Sequence, residues 1–197
     1  MNKKVSDHNK KGQIYQIDQS GKVEDTRCHT VIACVNGLQR SVLLPAREKR
    51  KLLEWFRMSG KPRLFVDFVF STLVYLLIKP MISHSLKTFV VDIEYPGRTQ
   101  IITRIIQEFS HTTLLLRWEL VGKSSRAHDI AYKTYKKKIK ATRVISGEEI
   151  WRLTKKIAGG RLNAGLSPAN RRSAPANIHN ISKKQPFVKE GQKKNKP

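Results

Sequence analysis

The chain has 197 residues, of which 39 are Lys or Arg and 15 are Asp or Glu, so its formal net charge is +24. A length below about 200 residues fits one domain with room for a core, and two cysteines are too few for a disulfide framework or a structural zinc site. We therefore expect a reduced, cytoplasmic protein whose natural partner is a polyanion, either a nucleic acid or an anionic membrane surface.

The first predicted elements are a basic arm and three short strands. Residues 1–12 are polar and carry a charge of +3, which predicts a disordered arm, and no apolar run precedes Ile14 that would indicate a targeting segment. Apolar patterning then predicts strands at 13–17, 30–35 and 40–44. Asn36 and Gly37 form a hairpin signal between the second and third strands, so these two should be antiparallel.

Two helices are predicted next. Pro45 opens the first, which continues through 46–57 until the Ser-Gly-Lys-Pro stretch at 59–62 stops it. Residues 64–78 are the most apolar stretch, but they contain Asp67 and fall short of the ~20 residues that cross a bilayer. We expect a buried helix here and no membrane partner.

The second half alternates between strands and helices. Apolar runs predict strands at 88–93 and 113–121, and helical periodicity predicts helices at 99–109, 126–138 and 146–157. The whole order predicts an α/β domain over residues 13–158, built as a mixed sheet flanked by helices.

The C-terminal segment, residues 159–197, is predicted to be a second disordered basic arm. It carries a charge of +8 with several prolines and few large apolar residues, which leaves +13 on residues 13–158. Such arms add salt-dependent affinity for phosphates. The alternative interpretation is that the segment only makes the protein more soluble.

Acidic residues are few, and several lie at the predicted strand ends. Asp18 ends the first strand, Asp92 and Glu94 end the fourth, and Asp129 lies in a helix directly after His128. Each has a structural alternative: a turn at Asp18, simple exposure at Glu94, a favourable early-helix position for Asp129 and a packed or solvated His128. Asp92 lies within an apolar strand, where an unpartnered carboxylate is costly, and this favours a functional role.

Three short motifs in this element order resemble the ribonuclease H-like (retroviral-integrase-like) superfamily. They are IDQSGK at 17–22, VVDIEYPG at 90–97 and SRAHDIAY at 125–132. They also resemble an uncharacterised branch whose first strand reads YIDESG and whose last helix reads ADLxA, with Gln19 departing from its Glu. The resemblance covers residues 13–140 and implies a ribonuclease H-like mixed sheet of three antiparallel and then two parallel strands, with the first and fourth strands adjacent.

The resemblance also implies a site. Asp18 matches the first acid of the superfamily, Asp92 (or Glu94) the second and Asp129 the third. Either Asp129 or His128, directly before it, faces the site, and the sequence leaves this choice open. These carboxylates would hold two divalent ions, Mg²⁺ or Mn²⁺, because hard oxygen ligands and negative charge suit such ions. One ion would activate a water and the other would stabilise the leaving oxygen in phosphodiester cleavage.

A basic surface is predicted beside this site. The segment 123–143 has eight Lys or Arg against Asp129 alone, with Tyr132 and Tyr135 interleaved, which favours phosphate contacts and base stacking. A second basic cluster occupies 47–51 on the first helix. A solvated helix face is the alternative, but it would show more balancing Glu. The residues predicted to contact nucleic acid are Arg47, Arg50, Lys123, Arg126, Lys133, Lys136, Lys137, Lys138 and Lys140.

Two functions follow as hypotheses. The first is a metal-dependent nuclease, a hydrolase that uses a two-metal carboxylate site on the phosphodiesters of DNA or RNA. The second is a non-catalytic nucleic-acid-binding protein with the same fold, and a weaker third is an interaction domain whose basic arms meet an acidic protein. The sequence contains no glycine-rich phosphate loop and no serine-hydrolase motif that would point to another chemistry.

Overall fold

The computed structural model describes residues 13–82, 87–122 and 124–158, so the predicted arms at 1–12 and 159–197 lie outside the described residues. Within these ranges, six strands form one sheet: β1 (Gln13–Ser20), β2 (Thr30–Asn36), β3 (Leu38–Leu44), β4 (Lys87–Asp92), β5 (Leu115–Glu119) and β6 (Arg143–Val144). Five α-helices accompany them within the described ranges: α1 (Ala46–Met58), α2 (Phe65–Ile78), α3 (Thr99–Ser110), α4 (Arg126–Tyr135) and α5 (Gly147–Ala158).

The sheet is mixed, with the strand order β5-β4-β1-β2-β3-β6. The pairs β1·β2 and β2·β3 are antiparallel, whereas β4 runs parallel to β1, β5 to β4 and β6 to β3. The predicted α/β architecture and the adjacency of the first and fourth strands are therefore confirmed. Strand β6 was not predicted, because two exposed residues show no period that a sequence could reveal.

The two faces of the sheet carry different layers. Alternate residues of a strand point to opposite faces, and Tyr15 and Ile17 of β1 point into the main core, which α1, α2, α3 and α5 line. On the other face α4 packs across β1 and β2, where its small inward side chains meet β2. This second, smaller cluster consists of Ala33, Val35, Ala127, Ile130 and Ala131.

Helix α2 is the centre of the main core. Among the described residues, the stretch Pro62–Met81 has the length and hydropathy of a membrane span, but 78% of its apolar window is buried inside the fold. All residues of α2 except Val66 are buried. The prediction of a buried helix at this position is confirmed.

Helix α1 differs from the prediction at its basic cluster. Lys49 is fully buried, and its Nζ donates to the carbonyls of Lys22 and Asp25 at 2.9 and 2.6 Å and to the hydroxyl of Thr30 at 2.9 Å. Burial lowers the pKa of Lys49 to about 8. Residues 47–51 are thus not a uniform basic face, because Lys49 is directed inward and connects α1 by hydrogen bonds to the segment between β1 and β2.

Helix α4 is shorter than predicted. It ends at Tyr135, and Lys137 takes the left-handed conformation with φ 58°. The N–H of Lys138 then bonds the carbonyl of Lys133 at 2.9 Å, which is the closing bond of a Schellman motif. Three consecutive lysines at 136–138 gave no sequence signal for this stop.

Candidate active site

The candidate site lies at the carboxyl ends of β1 and β4. The parallel register pairs Ile17 with Val91, and both of these side chains point into the main core. Because neighbouring residues of a strand face opposite ways, Asp18 and Asp92 both point to the face that α4 covers. The pairing of Asp18 with Ala33, which packs against α4, agrees with this placement. Two acids 74 positions apart in the chain are thus side by side.

Asp18, Asp92 and Glu94 form one carboxylate cluster. One oxygen from each can be chosen so that all three lie within 4.8 Å of one another. The N–H of Val121, two residues after the end of β5, donates to Oδ1 of Asp92 at 2.7 Å and so fixes the position of that carboxylate. The sequence prediction that these three acids converge agrees with the geometry.

Asp18 has an oxygen that the protein does not satisfy. The residue is 4% exposed, and among the described residues no group forms a hydrogen bond to its buried Oδ1. Burial raises the pKa of Asp18, the charge of Asp92 adds to this rise, and His128 opposes it. A buried carboxylate oxygen without a partner is costly in a folded protein, and a bound cation is one of the few ways to offset that cost.

Glu94 shows the same crowding of negative charge. Its burial raises its pKa to about 7, and the charges of Asp92 and Asp18 contribute to the rise, whereas Lys22 opposes it. At neutral pH the Glu94 carboxyl is therefore protonated in part of the molecules, whereas an isolated glutamate would be ionised. Three hard oxygen donors with excess negative charge could together hold a metal cation.

His128, rather than Asp129, faces the cluster. Ser125 caps α4 by accepting the N–H of His128 at 3.0 Å, and this start places Nδ1 of His128 3.3 Å from Oδ2 of Asp18. Asp129 lies about 100° further around the helix, is exposed, and pairs with Lys133 at 2.8 Å. The expectation that Asp129 provides the third ligand is corrected accordingly, because the phase of α4 turns its carboxylate away from the sheet.

Tyr95, which the sequence analysis did not select, supports the turn after β1 from the opposite face. Its hydroxyl lies 3.2 Å from three groups, the Nε2 of Gln19, the N–H of Val23 and an oxygen of Glu24. Gln19 also donates to the carbonyl of Gly21 at 3.0 Å, so it has a structural role where the resembling branch has Glu. The only sequence signal for Tyr95 was its position directly after the acidic strand end.

The basic surface predicted on α4 lies on the same face of the sheet as the carboxylates. Its ammonium and guanidinium groups are exposed and largely unopposed, since Asp129 is the single acid within the helix. Lys123 lies outside the described residues. The exposed members of the predicted set in and after α4 are Arg126, Lys133, Lys136, Lys137, Lys138 and Lys140.

The other predicted basic residues belong to the opposite layer. Arg47 and Arg50 are on α1, whose buried side chains pack in the main core. Arg47 lies 3.5 Å from Glu48, and Arg50 donates to the carbonyl of Thr26 at 3.0 Å. These two arginines are exposed, but they are separated from the carboxylate cluster by the sheet.

Comparison with known proteins returned no matching family model, curated protein or solved structure. The functional interpretation therefore depends on the chemistry of the site. Clustered carboxylates, among which Asp18 and Glu94 have a raised pKa, one unpartnered oxygen and an adjacent histidine form a combination typical of a cation-binding or proton-transfer centre.

Proposed function

We propose that the chain is a metal-dependent nuclease with a ribonuclease H-like fold, a hydrolase of phosphodiester bonds in DNA or RNA. The observation that carries the proposal is the buried, unpartnered Oδ1 of Asp18 beside Asp92 and Glu94. Two further features support it. The strand order β5-β4-β1-β2-β3 puts the first and fourth strands together, as the resemblance implies. Helix α4, which lies next to the carboxylates, is basic.

In this proposal Asp18, Asp92 and Glu94 hold Mg²⁺ or Mn²⁺. A bound divalent ion supplies a Lewis acid for a phosphoryl oxygen and lowers the pKa of a bound water. The protein contributes fixed positions: the N–H of Val121 orients Asp92, and the strand pairing orients Asp18. His128 takes the place predicted for Asp129, and its ring can hold or move a proton next to Oδ2 of Asp18.

The choice of a nucleic acid as substrate follows from charge. A phosphodiester polymer is a polyanion, and neutralising its phosphates with Lys and Arg releases counterions and gives affinity. Here the acidic cluster lies beside a helix with several exposed basic side chains, within a chain of net charge +24. A small anionic substrate would not need so extended a basic surface.

Cleavage assays with site variants test the proposal. The full chain should cleave at least one of single-stranded DNA, duplex DNA, RNA or a hybrid when Mg²⁺ or Mn²⁺ is added, and a chelator should stop the reaction. Asp18→Asn and Asp92→Asn should abolish cleavage while binding persists, because each removes an ion ligand and keeps the shape. Glu54→Gln is the matched control, since Glu54 is exposed on α1 in the opposite layer. Undiminished cleavage by both site variants, or no cleavage of any substrate, would refute the proposal.

A non-catalytic nucleic-acid-binding protein of the same fold is the second candidate. The exposed basic residues of α4 favour it, because they require no metal to contact phosphates. It predicts binding that weakens steeply with salt, needs no divalent ion and is accompanied by no cleavage. We also propose a cytoplasmic location, which the free thiols of Cys28 and Cys34 support.

A further inference from the structure

One face of α4 carries two stacked rings and a cation. Together they form a stripe that leads away from the carboxylate cluster. His128, Tyr132 and Lys136 are spaced at i, i+4 and i+8, so they lie along one side of the helix, separated by about 6 Å per step. The rings of His128 and Tyr132 are within 7° of parallel, with centroids 6.3 Å apart. Nζ of Lys136 lies 5.6 Å from the ring centroid of Tyr132.

Tyr132 contributes little to the packing of α4. The helix meets the sheet through its buried apolar side chains, Ala127, Ile130 and Ala131. Tyr132 is outside that cluster and 45% exposed, although a tyrosine ring usually gains from burial. A large flat ring is thus held at the surface near a histidine and a lysine.

The charge around Tyr132 points to a phosphate polymer. Lys133 follows Tyr132 directly, Lys136 lies one turn further along, and Lys137 and Lys138 follow at the end of the helix, all of them exposed. Asp129 is the one acid of the helix, and Lys133 already pairs with it. Exposed aromatic rings interleaved with cations are the pattern by which proteins bind unpaired nucleotides, with bases on the rings and phosphates on the cations.

We propose that this stripe binds an unpaired segment of nucleic acid, with one base stacked on Tyr132 and the adjacent phosphates contacting Lys133 and Lys136. Within a duplex both faces of a base are already stacked on its neighbours, so Tyr132 selects single-stranded segments. DNA and RNA share the base face and the phosphate, and both are bound. The strand then runs along α4 towards His128 and the carboxylates, a last step that depends on the nuclease proposal above.

Binding measured without divalent ions separates this inference from the nuclease proposal. The full chain is titrated into labelled single-stranded DNA, single-stranded RNA and duplex DNA of equal length at one fixed salt concentration, with a chelator present. Tyr132→Ala should raise the dissociation constant for both single strands by about 5- to 100-fold. Tyr132→Phe should stay close to the unsubstituted chain, because the ring remains. Met58→Ala, at an exposed position on α1, is the control for loss of exposed apolar surface and should change nothing.

An abasic scan of the strand tests the stacking without altering the protein. Removing the base that faces Tyr132 should weaken binding to the unsubstituted chain and have no further effect on Tyr132→Ala. Equal single-strand affinities of Tyr132→Ala and the unsubstituted chain, an equal loss on duplex DNA, or fully additive losses in the scan would overturn the inference. Tyr132-dependent binding in a chain that cleaves nothing would support this inference and remove the nuclease proposal. Cleavage together with binding that does not depend on Tyr132 would support the nuclease proposal and overturn this inference.

Discussion

Glu94 should make the metal-free protein less stable as the pH rises, and replacing it with Gln should remove that cost. The pKa of its carboxyl is raised from 4.5 to about 7. A raised pKa means that the folded chain holds the proton more tightly than the unfolded chain does. The stability from this group is therefore complete below about pH 4.5 and is lost as the pH rises through the folded value near 7.

The size of this effect follows from the two pKa values. A shift from 4.5 to about 7, at about 1.4 kcal/mol per unit, sets a ceiling of about 3.5 kcal/mol on the stability lost as the pH rises. Glu94 is only partly buried, so solvent screening should reduce the observable effect to about 1 to 2 kcal/mol. Glutamine has the same shape and no charge, so Glu94→Gln should be more stable than the unsubstituted chain by this amount at about pH 8 and nearly equal to it at about pH 4.

Urea unfolding at these two pH values, in a chelator, measures the difference. Added Mg²⁺ or Mn²⁺ should stabilise the unsubstituted chain at the higher pH, because a ligand that binds only the folded state raises its stability. Glu94→Gln should respond less, since it has lost an ion ligand. Glu54→Gln should leave both the pH dependence and the metal response as they are. Reduced stability of Glu94→Gln at about pH 8, or an unchanged pH dependence, would refute the reasoning.

Four further outcomes follow from the structure. Asp129→Asn should retain the cleavage that Asp18→Asn loses, because Asp129 points away from the cluster, and equal loss in a cleavage assay would contradict this. Lys49→Met should lower the free energy of unfolding by about 2 to 4 kcal/mol in urea titrations, since three oxygen acceptors lose their buried donor; an unchanged midpoint would contradict it. Gly21→Ala should cost about 2 kcal/mol or more by thermal unfolding, because its φ is +77° and a Cβ would collide with a backbone carbonyl and a tyrosine ring. Lys137→Gly should raise the free energy of unfolding by about 1 kcal/mol, because its φ of 58° favours glycine; a destabilised variant would be incompatible with the observed helix end.

Local patterns predicted the elements of this fold well. Apolar alternation and helical periodicity placed five strands and five helices close to their observed positions, because these periods arise from backbone geometry within a few residues. Strand β6 was missed since Arg143 and Val144 carry no pattern and are held by pairing with β3. The end of α4 was missed because Lys137 adopts a conformation that glycine usually provides.

Local patterns were less informative about burial and side-chain direction. Lys49 reads as one member of a basic run, yet it is fully buried, because the loop after β1, 24 or more residues away, and Thr30 of β2 supply oxygens for its ammonium group. His128 and Asp129 are adjacent in sequence, and only the docking of α4 decides which of them faces Asp18. A change of phase of about 100° would exchange their roles.

The sequence by itself determined that this chain is strongly basic, that it forms a mixed α/β domain and that three of its acids, Asp18, Asp92 and Glu94, lie at strand ends. Composition and short-range periodicity are sufficient for these conclusions. The convergence of Asp18, Asp92 and Glu94, which the sequence predicted only through a resemblance, was decided by the tertiary structure, as were the unpartnered oxygen of Asp18 and the choice of His128 over Asp129. The physical reason is that convergence depends on the parallel pairing of β1 with β4 and on the docking of α4, which are contacts between distant parts of the chain.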